Sequence, residues 1–159
     1  MTVYTQYASP VGMLTLCSDA EALTGLWLEQ NCPNLDTMTR KEDLPVFARV
    51  KNWLDGYFAG APGEPDFRVE PAGTKFQKQV WEILLTVPWG RTITYGNIGE
   101  KIAPGMSARA VGQAVGKNPI SILIPCHRCL GAGGKLTGYA GGPENKKWLL
   151  AHEGISFEK

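Results

Sequence analysis

The opening of the chain alternates between short apolar runs and turn compositions. Residues 3–7, 13–17 and 23–28 are apolar-rich, separated by Ser9-Pro10-Val11-Gly12 and Ser18-Asp19-Ala20-Glu21. This spacing predicts a three-stranded β-meander. The polar stretch 30–43 reads as a loop. The apolar period then changes: Leu44, Phe47, Val50, Trp53, Leu54, Tyr57 and Phe58 recur at helical spacing, and Gly60 is placed to end that helix. An aromatic stripe of this kind is core rather than a ligand box. Residues 60–73, GAPGEPDFRVEPAG, hold three prolines and three glycines and leave room for one short strand at 67–69. That is a linker composition, and it places a domain boundary near Gly73, giving domains 1–73 and 74–159.

The second part of the pattern is helical. Thr74 can cap a helix through Thr86, with Phe76, Val80, Ile83, Leu84 and Val87 on one face. Residues 95–103 form a second helix, broken by Pro104-Gly105-Met106. Ser107 can cap a third over 108–117, which Asn118-Pro119 ends, because the residue before proline is pushed out of the α region. Two short helices joined by a glycine-containing turn fit a helix-turn-helix. The third helix is smooth: Ser107, Ala108, Ala110, Gly112, Ala114 and Gly116 are small, and Arg109 and Gln113 are its long polar side chains. That suits the minor groove, where recognition rests on backbone and shape, better than the major groove with its base-edge code. Close packing inside the domain also explains the small residues, and on pattern alone it is the favoured reading.

Composition narrows the class. The chain has 159 residues, 43% hydrophobic and 19% charged, as in an ordinary soluble globular protein, and it reads as a complete two-domain protein. No run approaches the roughly 18 apolar residues of a membrane span. The N-terminus has neither a basic n-region nor a long apolar h-region, so a cytoplasmic protein is expected, with its four cysteines as free thiols. The net charge of +1 hides a split. Residues 1–73 carry five Lys/Arg against ten Asp/Glu, net −5, and residues 74–159 carry eleven against five, net +6. The basic half suits a polyanion such as nucleic acid, although two differently charged surfaces would look the same.

The reactive stretch is Ile124-Pro125-Cys126-His127-Arg128-Cys129, directly after the apolar run 120–124, which reads as a buried strand ending in the thiol. Imidazole and cationic neighbours favour a thiolate nucleophile. Adjacent side chains diverge, so a water between Cys126 and His127 fits better than direct contact. The other ring nitrogen of His127 needs an orienting partner, and Glu153, beside the only other histidine, His152, is the candidate. Cys126-x-x-Cys129 is a poor zinc site, since Cys17 and Cys32 lie in the other domain. It is a poor thioredoxin-like site, since the glycine-rich stretch 130–134 follows instead of a helix.

Several of these segments together resemble the O6-alkylguanine-DNA alkyltransferase family. They are Asn118-Pro119, Ile124-Pro125-Cys126-His127-Arg128, Thr137-Gly138-Tyr139-Ala140-Gly141-Gly142 and Lys147-Trp148-Leu149-Leu150-Ala151-His152-Glu153-Gly154, with Tyr95 and Arg109-Ala110-Val111-Gly112 at matching places. The resemblance is close over 74–159, and over 1–73 it is one of layout. It implies an α/β ribonuclease-H-like N-terminal domain and a mainly α, winged-helix-like helix-turn-helix domain. It also implies stoichiometric repair of O6-alkylguanine, and of O4-alkylthymine, in double-stranded DNA, by a monomer without cofactor or metal. Cys126 would accept the alkyl group irreversibly, His127 take the thiol proton through water, Glu153 orient His127, and Asn118 brace the turn. Tyr95 would protonate the departing guanine. Arg109 would fill the gap left by a base flipped through the minor groove, with Ala110, Gly112, Gln113, Tyr95 and Arg128 on the DNA. Tyr139, Ala140, Gly141, Ile124 and Val115 would form the alkylguanine pocket, with the Ala140 backbone on O6.

The chain departs from the family in three places. It has no histidine before residue 127, so the N-terminal zinc site of some members is not expected. Cys129 stands where many members have an aliphatic residue. Ser121 stands where some have proline, which leaves alkyl size open. Two other functions use the same residues: a DNA-binding regulator without chemistry, and a cysteine hydrolase.

Overall fold

The computed structural model describes residues 2–158, which divide into two compact units with the boundary between Ala72 and Gly73. The first unit is a sheet with one helix. Strands β1 (Val3–Ser9), β2 (Gly12–Ser18) and β3 (Leu23–Trp27) form the antiparallel meander, with Val3 opposite Ser18 and Ser9 opposite Gly12. Helix α1 (Pro45–Phe58) carries Phe47, Val50, Leu54 and Tyr57 into a core shared with Leu14, Leu16, Leu26 and Leu28. Gly60, at φ +85°, follows the helix end in the left-handed region that suits glycine.

The 30–43 stretch is not wholly loop. A short helical turn spans Glu29–Asn31, and β4 (Thr39–Arg40) pairs parallel to β1, giving the sheet order β3-β2-β1-β4. A two-residue strand among polar residues has no periodicity to read, so only the partner strand reveals it. Residues near 67–69 do meet the sheet. The Leu23 amide donates to the Arg68 carbonyl at 2.8 Å, and the Glu70 amide donates to the Leu23 carbonyl at 2.8 Å.

The second unit is built from capped helices. Thr74 caps α2 (Lys75–Leu85) and Gln77 closes a capping box, so two otherwise orphaned amides are satisfied reciprocally. Thr94 caps α3 (Tyr95–Ile102) and Ser107 caps α4 (Ala108–Gly116). These two form the helix-turn-helix. Gly105 takes φ +76° in the turn, and Gly99 lets the turn close, since a Cβ there would stand 3.2 Å from the Cβ of Met106. Trp81, which the α2 pattern did not single out, is buried, and its indole N–H donates to the Ala114 carbonyl at 2.9 Å, pinning α2 to α4.

Two strands of two residues complete the unit, with β5 (Ile93–Thr94) pairing parallel with β6 (Cys129–Leu130). Part of the glycine-rich stretch is therefore strand, followed by a short helical turn at Ala132–Gly134. Helix α5 (Pro143–His152) closes the domain, with Leu150 packed against Leu130 and Ile155. No described helix is long and apolar enough to cross a membrane.

Candidate active site

The apolar run before Cys126 is not a strand. Residues 121–124 are a tight turn, and Cys126–Arg128 is one turn of 3-10 helix. Prolines at 119 and 125 flank the run and deny it two ladder donors. Asn118 supplies the alternative pairing: its side-chain amide donates to the Ile124 carbonyl at 2.8 Å, and its side-chain oxygen accepts from the Ile120 amide at 2.9 Å. Pro125, at φ −81° and ψ 65°, is the centre of an inverse γ-turn in which the Cys126 amide donates to the Ile124 carbonyl at 2.8 Å. Ile122 is held at φ +70°, a strained conformation for a β-branched residue, and is buried. The thiol thus sits on a rigid, over-determined turn.

Cys126 is 5% exposed. Burial pushes its thiol above the ordinary value, while hydrogen bonds with Asn118 and Tyr139 and the nearby Lys146 ammonium pull against that shift. His127 is fully buried, and burial holds its pKa below the ordinary value, with Glu153 opposing. Its Nε2 is 2.6 Å from Oε2 of Glu153. A carboxylate only accepts, so the neutral ring carries its proton on Nε2, which leaves the Nδ1 lone pair. Nδ1 is buried with no hydrogen-bond partner among the described residues. A protonated thiol next to a neutral imidazole backed by a carboxylate can lose its proton during attack rather than before it.

Arg128 was expected on the DNA, and the structure turns it inward. Its Nε donates to Oε1 of Glu153 at 2.6 Å and its Nη1 to the Val87 carbonyl at 2.7 Å. A buried carboxylate needs a paired charge, and Arg128 supplies it while holding the oxygen opposite the one His127 uses. The other histidine, His152, stacks on Trp148 with ring centroids 4.8 Å apart.

The β5–β6 pairing brings Tyr95, at the start of α3, beside the segment that follows Cys129. The Tyr95 hydroxyl lies 2.7 Å from Oγ1 of Thr137, and burial raises its pKa. On α4, Arg109 and Gln113 are exposed and Ala110 and Gly112 half-buried, and a Cβ added at Gly112 would stand 3.7 Å from the Tyr95 ring. Of the expected pocket residues, Tyr139 is half-buried, Ala140 exposed and Gly141 buried, while Ile124 and Val115 lie in the core. Cys129 is buried, and its thiol is pushed up to about 12 by that burial. All four cysteines are free.

Sequence reasoning missed Lys146. It is buried on α5 and donates to the Cys129 carbonyl at 2.8 Å and to Oγ1 of Thr137 at 3.1 Å. The signal was present: Lys146, Leu149, Leu150 and Glu153 share the i, i+3, i+4, i+7 face of a helix, where a lysine is out of place.

Fold and site together define a two-domain protein whose helix-turn-helix unit holds a buried thiol backed by a histidine–glutamate pair. Residues 75–155 match the family described as 6-O-methylguanine DNA methyltransferase, DNA binding domain, and residues 2–71 match its ribonuclease-like domain. A methylated-DNA–protein-cysteine methyltransferase of Mycolicibacterium paratuberculosis is 43% identical over 153 residues, covering 96% of this chain and 93% of the relative. One from Haemophilus influenzae is 42% identical over 157 residues, covering 97% and 87%. The crystal structure of Mycobacterium tuberculosis OGT in complex with DNA superposes with a TM-score of 0.87 at 44% identity, covering 96% of this chain and 93% of that one. The chain belongs to the 6-O-methylguanine DNA methyltransferase family.

Proposed function

We propose that this chain repairs alkylated DNA by moving the alkyl group of O6-alkylguanine onto Sγ of Cys126, once per molecule. The observation that carries the reading is the bonded His127–Glu153 pair next in sequence to the buried Cys126 thiol, on a braced turn, within a domain that bears a helix-turn-helix. In the step, the Cys126 sulfur attacks the alkyl carbon, the S–C bond forms, and the C–O6 bond breaks with its electron pair left on guanine. The thiol proton passes through a bridging water to Nδ1 of His127, which Glu153 orients and whose positive charge it offsets. Tyr95 gives its proton to the departing guanine, and the proton held by His127 is released to solvent, from which Tyr95 is reprotonated. The product thioether has no easy hydrolysis route, so the thiol is consumed.

Access follows from burial on both sides. The O6 atom lies inside a stacked duplex, and Cys126 is 5% exposed, so the base must leave the stack to meet the sulfur. Helix α4 enters the minor groove, where the small Ala110 and Gly112 allow close approach, Gln113 reaches the strand and Arg109 fills the space of the flipped base. Tyr139 and the Ala140 backbone face the base. The chain acts as a monomer in the cytoplasm and takes O4-alkylthymine through the same pocket.

Mass spectrometry after incubation with a duplex containing O6-methylguanine tests this. The expected result is a gain of one methyl group, about 14 Da, on Cys126, at one per molecule. Tight binding with unchanged mass would make the protein a lesion-binding regulator, and repeated turnover of an ester would make it a hydrolase. The same assay with O4-methylthymine tests the second lesion, and sedimentation tests the monomer.

A further inference from the structure

In the first unit, far along the chain from Cys126, three sulfur side chains gather on the sheet. Leu14 and Leu16 alternate along β2 with Thr15 and Cys17, so Cys17 belongs to the other face of the sheet from the two leucines. Its partner on β3 is Gly25. A Cβ at Gly25 would stand 2.5 Å from Nε1 of Trp27 and 3.2 Å from the Cβ of Cys17, so the glycine makes room for the indole beside the thiol. The Trp27 N–H acts on the Cys17 sulfur as a donor. The Cys17 thiol itself donates to Sδ of Met38 at 3.9 Å. Within 36–40, Met38 alone is not exposed. Cys32, half-buried just after the helical turn at Glu29–Asn31, is close enough for its charge to act on Cys17. We infer that Cys17, Cys32 and Met38 form a binding site for one soft monovalent cation, Cu(I). The inference does not depend on the reading of Cys126.

The donor set selects the ion. Thiolate and thioether sulfurs suit Cu(I), whereas carboxylate and carbonyl oxygens suit Mg(II), Ca(II) and Mn(II). Two sulfurs each about 2.3 Å from one ion, at a trigonal angle of about 120°, lie about 4 Å apart, which is the separation Cys17 and Met38 already have. Zn(II) fits poorly, because its structural sites close with four ligands drawn from thiolate and imidazole. The first unit has no histidine, and among the described residues no three His, Cys, Asp or Glu side chains are grouped to hold a metal. On binding, the sulfurs of Cys17 and Cys32 form bonds to the ion, their two protons leave to solvent, and no electron is transferred. The Trp27 N–H then faces an anionic sulfur, the outer support that metal thiolates use. Cys32 and Met38 are half-buried and give the ion a way in from solvent, while Cys17 is 3% exposed. A core thiol needs only apolar neighbours. The neighbours of Cys17 are instead a thioether, a second thiol and an N–H donor.

The test is an anaerobic titration of the full chain carrying Cys126→Ser, which removes the reactive thiol of the second unit, with Cu(I) supplied by a chromogenic chelator. The protein is expected to take one equivalent from the chelator, with sulfur-to-copper absorption in the near ultraviolet and a Tm that rises with copper concentration. Adding Cys17→Ser or Cys32→Ser loses that equivalent. Adding Met38→Leu, which keeps the size of the side chain, weakens it about tenfold. Zn(II) in excess leaves the copper bound. Failure to draw any copper from the chelator would overturn the site. So would uptake unchanged by either Cys32→Ser or Met38→Leu, or displacement of the copper by Zn(II). Cys32 and Met38 are half-buried, so their variants decide the outcome even where Cys17→Ser fails to fold.

Discussion

His127 Nε2 and Glu153 Oε2 lie 2.6 Å apart, and neither side chain exposes any surface. The pair is closed off from solvent, so the protonation of the ring is decided by the protein. Burial keeps the ring neutral and the Cys126 thiol protonated, the opposite of a preformed thiolate–imidazolium pair.

The pH dependence of transfer should show this. With a neutral base and a neutral thiol, the reactive state persists between the two pKa values, so the single-turnover rate is expected to be flat from about pH 6.5 to 8.5. In His127→Ala the thiolate must form by ionisation to solvent, so the rate falls by about 10²–10⁴ at neutral pH and rises about tenfold per pH unit. Stability has its own signature. A histidine whose folded pKa is depressed is fully effective above its unfolded pKa of about 6.5, and stability drains as pH falls below that, because the unfolded chain takes up a proton the folded chain refuses. Thermal denaturation across pH 5–7 should be steeper for the parent than for His127→Ala.

Arg128→Ala separates an interior clamp from a DNA contact. Removing the guanidinium takes from the buried Glu153 carboxylate the charge bonded to its Oε1, a loss of about 3–5 kcal/mol of stability. The salt dependence of DNA affinity should keep its slope. A fall of about 0.9 in the slope of log K against log salt would instead mark a lost phosphate contact.

Asn118→Ala removes both bonds that brace the turn, takes the side-chain acceptor from the Ile120 amide and leaves the Ile124 carbonyl with the Cys126 amide as its donor. About 2–4 kcal/mol of stability should go, read from urea denaturation. The turn also holds Ile122 at positive φ, so the transfer rate should fall with stability as Cys126 loses its position.

Arg109→Ala should leave stability unchanged, since the side chain is exposed on α4. Transfer from an O6-methylguanine duplex should slow by about 10–100-fold, because base extrusion costs a few kcal/mol that an inserted side chain offsets. Reaction with the free alkylated base should keep its rate. Equal slowing on both substrates would remove Arg109 from base extrusion.

Much of the second unit was legible because its signals are local. Thr74, Thr94 and Ser107 each cap a helix through a bond three residues on, so neighbouring residues alone specify the helix starts. The 120–124 run was misread because its apolar character suits a strand or a buried turn alike. The choice between them was made by Asn118 and two prolines, through bonds that only the closed turn displays.

What the chain alone determined is therefore the helices, the meander, the reactive Cys126-His127 pair and the partner Glu153, each marked by residue type or short-range spacing. The tertiary structure decided which charges face inward. Arg128 looked like a cation for phosphate and became the clamp on Glu153. Lys146 and Lys147 are adjacent and chemically identical. One turns into the core to bond Cys129 and Thr137, while the other stays half-exposed beside Glu144. A step of about 100° around a helix separates them, and its meaning depends on what packs against each face.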